Sequence, residues 1–215
     1  MSSGESWNEE EKQRTAEIIR PILRGRDIKR YGYNWANLWL INTHNGIKGG
    51  VSRIEINDYP AIKQHLDAYW DRIDIRADKG DTPYNLRNCA YLEDFNKPKI
   101  VYREIGTDMD ACLLSEEFVV NNKLYILTGN HLEYLIAFFN SRVFNKMLMK
   151  AANITGGKGA DFMYNVPVPM PSQSILQAIS ATDFACNMEA QKHVDMLFVE
   201  LLGLSEQERS WISSE

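Results

Sequence analysis

The stretch Ile22-Leu23-Arg24-Gly25-Arg26-Asp27-Ile28-Lys29-Arg30-Tyr31 stands between a helix-forming segment and the first apolar, strand-like run. From Arg20 to Arg30, five cations (Arg20, Arg24, Arg26, Lys29, Arg30) face one anion, Asp27, in a chain whose formal net charge is -5. Two readings account for that excess. One is a solvated turn after a helix, where cations also suit the negative end of the helix dipole. The other is a phosphate site, because arginine's planar fork pairs two phosphate oxygens and Gly25 lets the backbone approach a ligand.

Outward toward the N-terminus, residues 1–7 read as a flexible start, and Glu9 to Ile19 as a helix that is acidic at its beginning and ended by Pro21. Toward the C-terminus, Tyr33 to Thr43 carries Trp35, Leu38, Trp39, Leu40 and Ile41 and reads as a buried strand. A Gly-rich segment, Ile47 to Asn57, contains Lys48-Gly49-Gly50. Pro60 opens an amphipathic helix with Ile62, Leu66, Tyr69, Trp70 and Ile73 on one face, an aromatic stripe expected in the core. From Arg76 to Asn96 periodicity is lost, and a connection of that length is functional or disordered; Tyr84, Leu86 and Tyr91 argue against disorder.

Strands are expected again at Lys99 to Ile105, Phe118 to Val120 and Leu124 to Leu127, the last two as a hairpin across Asn121-Asn122. Asn130 and Glu133 fit a capping box that opens one long helix through Met147. Asn153 to Ala160 is a second flexible basic loop, and Val166 to Pro171 is extended because its prolines exclude a central strand or a helix interior. Ile175 to Leu202 is mostly helical and acidic, and Ser205 with Glu208 caps one more helix. The expected fold class is α+β: a twisted, mainly antiparallel sheet from segments near 35–43, 99–105, 117–120 and 123–128, with flanking helices and a helical C-terminal appendage.

Composition narrows the function classes. Hydrophobic residues at 44% against 25% charged residues give a globular balance and exclude wholesale disorder. No apolar run reaches the 18 or so residues of a membrane span and the N-terminus lacks a signal-peptide core, so a cytoplasmic protein with no membrane partner is expected. Cys89, Cys112 and Cys186 are widely spaced, and with His44, His65, His131 and His193 they offer no zinc-ligand spacing. The acidity sits in the two ends: residues 1–17 are net -3 and residues 183–215 net -5, which leaves 18–182 at +3. A basic surface on the central body is compatible with that distribution.

Catalytic patterns are missing. Thr155-Gly156-Gly157-Lys158-Gly159-Ala160 lacks the spacing and final hydroxyl of a nucleotide phosphate loop. Asp108, Asp110, Glu116 and Glu117 read as a solvated acidic loop, and no Gly-x-Ser-x-Gly occurs. What remains is four segments that combine cations, amides and aromatics: Arg24 to Arg30, Lys79 to Asn88, Lys97 to Arg103, and Lys158. Such groups hold phosphates, read base edges and stack on bases.

Ile19-Arg20-Pro21-Ile22-Leu23-Arg24-Gly25-Arg26-Asp27-Ile28-Lys29-Arg30-Tyr31 resembles the opening motif of the TaqI-like C-terminal specificity domain of Type IIG restriction-modification enzymes and adenine-specific DNA methyltransferases. The similarity continues through Leu38-Trp39-Leu40-Ile41, Tyr59-Pro60-Ala61-Ile62 and Gly80-Asp81-Thr82-Pro83-Tyr84-Asn85-Leu86-Arg87-Asn88-Cys89-Ala90-Tyr91. It extends to Lys97-Pro98-Lys99-Ile100-Val101-Tyr102, the helix Tyr134 to Ser141 and the Pro-rich Val166 to Pro169, with order and spacing kept over roughly residues 18–171.

The resemblance implies a target-recognition domain, as a fragment of a larger enzyme or a lone module. In that family a preceding methyltransferase domain carries S-adenosylmethionine and methylates a flipped adenine; an endonuclease, where present, requires magnesium. The Asn-Pro-Pro-Tyr type motif of such a domain is absent here, so no catalytic, metal or cofactor residue is expected in this chain. The implied partners are double-stranded DNA and the methyltransferase domain. The expected division is a lead-in at 1–17, the specificity domain at 18–171 and an acidic helical appendage at 172–215. The expected phosphate contacts are Arg24, Arg26, Lys29 and Arg30; base-edge or groove contacts are expected from Lys79, Thr82, Tyr84, Arg87 and Asn88 and from Lys97, Lys99 and Arg103, with Lys158 in the second basic loop. The alternative is a protein-interaction module that binds a partner subunit through its aromatic loops and acidic tail.

Overall fold

The computed structural model describes residues 8–103, 109–115, 117–155, 166–182 and 188–213. The described strands are β1 (Ile19–Leu23), β2 (Ile28–Lys29), β3 (Gly32–Tyr33), β4 (Trp39–Ile41), β5 (Lys99–Arg103), β6 (Ala111–Leu114), β7 (Val119–Val120) and β8 (Leu124–Leu127). The described helices are α1 (Glu9–Glu17), α2 (Pro60–Asp67), α3 (Trp70–Ile73), α4 (Leu132–Phe139), α5 (Arg142–Thr155), α6 (Gln173–Ser180), α7 (Met188–Leu201) and α8 (Glu206–Ser213). Mixed helices and antiparallel strands make the fold α+β. In place of the expected single sheet, the described residues form three small ones, β4-β1-β7, β2-β3 and β6-β5-β8. Strands this short bury too little of one face to fix their partners from local pattern.

The chain divides into two compact units: Met1–Ile22 with Asn37–Asn96 and Glu117–Val119, and Leu23–Ala36 with Lys97–Glu116 and Val120–Glu215. In the first, Glu9, Glu10 and Glu11 occupy the positive end of α1, and the Asn8 side chain accepts from the Glu11 amide at 2.7 Å. Pro21 lies in the middle strand β1. Ile22 donates to the Leu38 carbonyl at 3.0 Å and Asn42 to the Ile18 carbonyl at 2.7 Å, so bonds to β4 fall on even-numbered residues of β1. Pro21, paired with Trp39, is asked for no donor on that side.

Two expectations fail in this unit. The run 33–43 is not one buried strand: only Trp39–Ile41 forms β4, an edge strand, and Trp39 and Leu38 are 54% and 38% exposed. The helix from Pro60 breaks at Ala68-Tyr69, where the Tyr69 amide tightens onto the Leu66 carbonyl and its backbone leaves the helical region. Tyr69 and Trp70 are consequently exposed, not in the core.

The second unit is built on β5, whose first four residues are buried, paired antiparallel with β6 on one side and β8 on the other. Strand β6 has no counterpart in the sequence reading. The hairpin expected between 118 and 127 does not form. The chain does reverse, with Leu124 donating to the Asn121 carbonyl at 3.1 Å, but β7 joins β1 whereas β8 joins β5.

The long helix expected from Asn130 divides into α4 and α5 at Asn140-Ser141. Ser141 Oγ accepts from the Phe144 amide and starts α5, while Asn140, 1% exposed, turns inward. Nor does the Asn130/Glu133 box form, since Glu133 instead accepts from the Ser180 hydroxyl at 2.5 Å. The box of Ser205 and Glu208 does form, with reciprocal bonds of 2.8 and 3.4 Å. One aromatic cluster fills the unit: Phe138 lies 5.2 Å from Phe144 and 5.0 Å from Phe198, which in turn sits 5.5 Å from Tyr134. The C-terminal helices take part in it through Val194, Phe198 and Ile212.

Candidate nucleic-acid interface

The cationic stretch forms a tight 3-10 turn, Gly25–Asp27, running into the β2-β3 hairpin. Asp27 is 4% exposed and receives three bonds from Arg24: from its amide at 2.9 Å, Nε at 3.0 Å and Nη2 at 2.8 Å. The Arg24 fork holds the Asp27 carboxyl below the usual carboxylate range against the opposing effect of burial. Arg24 is thus a structural arginine that closes the turn. Arg26, Lys29 and Arg30 remain exposed beyond it.

Arg30 and Tyr31 form the tip of the hairpin. Tyr31 adopts left-handed backbone (φ 60), and its amide donates to the Ala111 carbonyl at 2.8 Å. Burial pushes its phenol up to about 12. The Arg30 guanidinium lies 5.8 Å from the Tyr31 ring centroid and donates to the Asn140 carbonyl at the C-terminus of α4, a favourable place for a cation. Across the same helix junction, Asp195 accepts from the Arg142 amide at 2.8 Å at the N-terminus of α5. Burial raises its carboxyl above the ordinary value.

In the first unit, the polar loop 79–88 is folded around Asn85, 2% exposed. Asn85 Nδ2 donates to the Ile54 carbonyl at 3.0 Å, and Asn85 Oδ1 accepts from the Thr82 hydroxyl at 2.6 Å. Arg76 holds the loop from behind, donating to the Pro83 and Asn85 carbonyls at 3.0 and 3.1 Å. Tyr84 packs on Trp70 (5.4 Å between centroids) and donates to Asp67 at 2.5 Å, beneath the Lys63 ammonium. Thr82 and Tyr84 therefore shape the loop, whereas Arg87 and Asn88 are exposed on it. Lys79 is also exposed and donates to the Asp74 carbonyl.

Of the remaining expected residues, Lys97 is exposed. Lys99 is fully buried, its ammonium donating to the Lys97 and Ser115 carbonyls at 3.1 and 2.8 Å, which places it in the scaffold and not on the surface. Arg103 pairs with Asp110. Lys158, Asp108 and Glu116 lie outside the described residues. Among the described residues no group of His, Cys, Asp and Glu is arranged to hold a metal ion, and no helix is long and apolar enough to cross a membrane.

Sequence reasoning missed Asn45 and Arg53. Asn45 Nδ2 donates to Asp81 Oδ1 at 3.0 Å and Asn88 Oδ1 at 2.5 Å, and its Oδ1 accepts from the Asp81 amide at 2.9 Å. Arg53 pairs with Glu55 at 2.6 Å and with the other Asp81 oxygen at 3.3 Å. An open cleft of about 630 Å³ lies between these two loops, lined among others by Asn45, Lys48, Arg53, Asp81 and Asn88. The Gly-rich segment itself is visible in the sequence; that Asn45 ties it to a loop 36 residues away is not.

A family model described as TaqI-like C-terminal specificity domain matches residues 20–160. Among solved structures, the chain is similar to that titled "Structure of Type IIL restriction-modification enzyme MmeI in complex with DNA has implications for engineering of new specificities". The likeness has a TM-score of 0.61 at 11% identity and covers 93% of this chain but 31% of that one, so the chain spans about a third of that enzyme. No curated protein matches the sequence.

Proposed function

Because the chain belongs to the family of TaqI-like C-terminal specificity domains, we propose that it binds double-stranded DNA sequence-specifically as the target-recognition part of a restriction-modification enzyme. The observation that carries this reading is the turn from Arg24 to Arg30. Arg24 neutralises Asp27 internally, so Arg26, Lys29 and Arg30 stay exposed and leave a local cationic edge on a chain of net charge -5. Such an edge suits phosphates, which position a protein on DNA, while the exposed Arg87 and Asn88 of the first unit are of the types that read bases.

Methyl transfer to a flipped adenine, with S-adenosylmethionine, is assigned to a catalytic domain outside these residues, as is any magnesium-dependent cleavage. This chain has no Asn-Pro-Pro-Tyr segment, and no chemical step is proposed for it. Its own part is to hold the duplex in register.

A second reading, docking of a partner protein, is favoured by the exposed Leu38 and Trp39 at the edge strand β4. Salt separates the two, since displacing counterions makes log affinity fall linearly with log salt. In a titration of duplex DNA across salt concentrations, Arg26→Ala and Lys29→Ala are each expected to weaken binding to all sequences and to flatten the slope by about 0.9. DNA affinity that ignores both substitutions would overturn the phosphate assignment.

A further inference from the structure

The Gly-rich segment beside the cleft is a built turn. Gly50 donates to the Ile47 carbonyl at 2.9 Å, and Gly49 has φ +81, the pattern of a type II turn with glycine at its third position. Ile47 donates to the Val51 carbonyl at 2.8 Å and closes its base. Beneath it, Gly46 (φ +75) is buried, and a Cβ there would meet the Val51 carbonyl at 2.6 Å and the Arg53 amide at 2.7 Å. The backbone is therefore folded back on itself tightly. Residues 48–52 are exposed at the tip, and Lys48 carries the charge there with no ion pair among the described residues.

This turn is fixed relative to the loop of Arg87 and Asn88. The Asn45 amide bonds both Asp81 and Asn88, and Gly80 allows it, because a Cβ on Gly80 would lie 2.6 Å from Asn45 Oδ1 and from the Leu86 carbonyl. Of the charged side chains lining the cleft, Lys48 and Arg53 stand with Asp81, and Arg53 is already held by Asp81 and, outside the lining, by Glu55. A phosphate gains little where the arginine is already taken by two carboxylates and one of them, Asp81, lines the cleft as an anion, whereas base edges offer both donors and acceptors to such a mixture of amide, ammonium and carboxylate.

We propose that the turn Ile47 to Val51 is a groove-reading element, in which Lys48 contacts the acceptor edge of a guanine in the DNA major groove and Asn45 is the positioning residue that sets its register against Asn88. The proposal rests on the DNA-recognition reading above. A single reverse turn is narrow enough for a groove about 12 Å wide, and guanine there presents two acceptors, N7 and O6, to an ammonium.

The test is selection of bound duplexes from a randomised pool by the whole chain, Lys48→Ala and Asn45→Ala. The expected result is a motif enriched by the unsubstituted chain that contains a guanine. Lys48→Ala should lower preference for that base about five- to tenfold while other positions persist. Asn45→Ala, which removes no charge, should relax the same position with an unchanged salt slope; a merely structural role would weaken all sequences alike. Lys48 is exposed, so its replacement leaves the fold intact. If Lys48→Ala keeps the motif, or weakens every sequence equally with a shallower salt slope, the turn is not a reader and this inference alone is overturned. If the unsubstituted chain binds no duplex or enriches no motif, the DNA-recognition reading falls with it.

Discussion

With one carboxylate among the five cations from Arg20 to Arg30, the geometry of Asp27 decides that Arg24 is the one drawn inward by it. Its two oxygens are taken by Arg24, so the arginine that the sequence offers as a phosphate ligand serves the backbone turn, and its neighbours are presented by that turn. The same pairing has a pH signature. A carboxyl held below its ordinary value contributes stability that is fully present above about pH 4 and is lost as pH falls through the lower folded value. Asp27→Asn should therefore cost about 1.5–3 kcal/mol near neutrality. The deficit relative to the unsubstituted chain should shrink as urea unfolding is repeated toward pH 3. The cluster of cations was legible in the sequence, but the division of labour within it was not, because charge counts carry no geometry. Lys99 makes the same point: it is expected among the groove contacts of Lys97 to Arg103, yet β5 is a central strand buried on both faces.

At the scale of elements, existence was more legible than extent. The apolar period locates α4 and α5, but it runs unbroken through Asn140-Ser141, where buried hydrogen bonds end one helix and begin the next. That junction is matched electrostatically, with Arg30 on the Asn140 carbonyl at the end of α4 and Asp195 on the Arg142 amide at the start of α5. Burial nonetheless raises the Asp195 carboxyl, so its proton is held more tightly in the folded chain than in the unfolded one. The contribution to stability is then full below about pH 4 and is lost as pH rises through the folded value, the opposite sense to Asp27. Asp195→Asn should remove that decline: measured by thermal unfolding, the variant should gain on the unsubstituted chain as pH is raised from 4 to 7. A variant that tracks the unsubstituted chain across that range would refute the assignment. Capping motifs divided in the same way: the Ser205 box forms, and the Asn130 box fails because Ser180 claims Glu133.

For the whole molecule, the α+β class followed from alternating segment types, while the assembly of strands into three sheets did not, since partners such as β1 and β7 are nearly a hundred residues apart. The acidic C-terminal helices are the clearest instance of composition concealing packing. Charge marks their outer faces, but Val194 and Phe198 are fully buried among the rings of α4 and α5. Phe198→Ala should cost about 3–5 kcal/mol in denaturant unfolding, as for a large aromatic removed from a packed core. A loss under 1 kcal/mol would mean that these helices pack only loosely.

The Asn140 side chain has one more consequence. Its amide bonds both the N–H and the C=O of Ala111, and the Tyr31 amide adds to the same carbonyl, on the outer side of β6. Strand β6 is the end of its sheet, and an open end offers another chain a template for cross-β growth. Here a side chain and a hairpin tip occupy the start of that template. Along this edge a colliding molecule meets the far end of a four-residue strand, a short template for such growth.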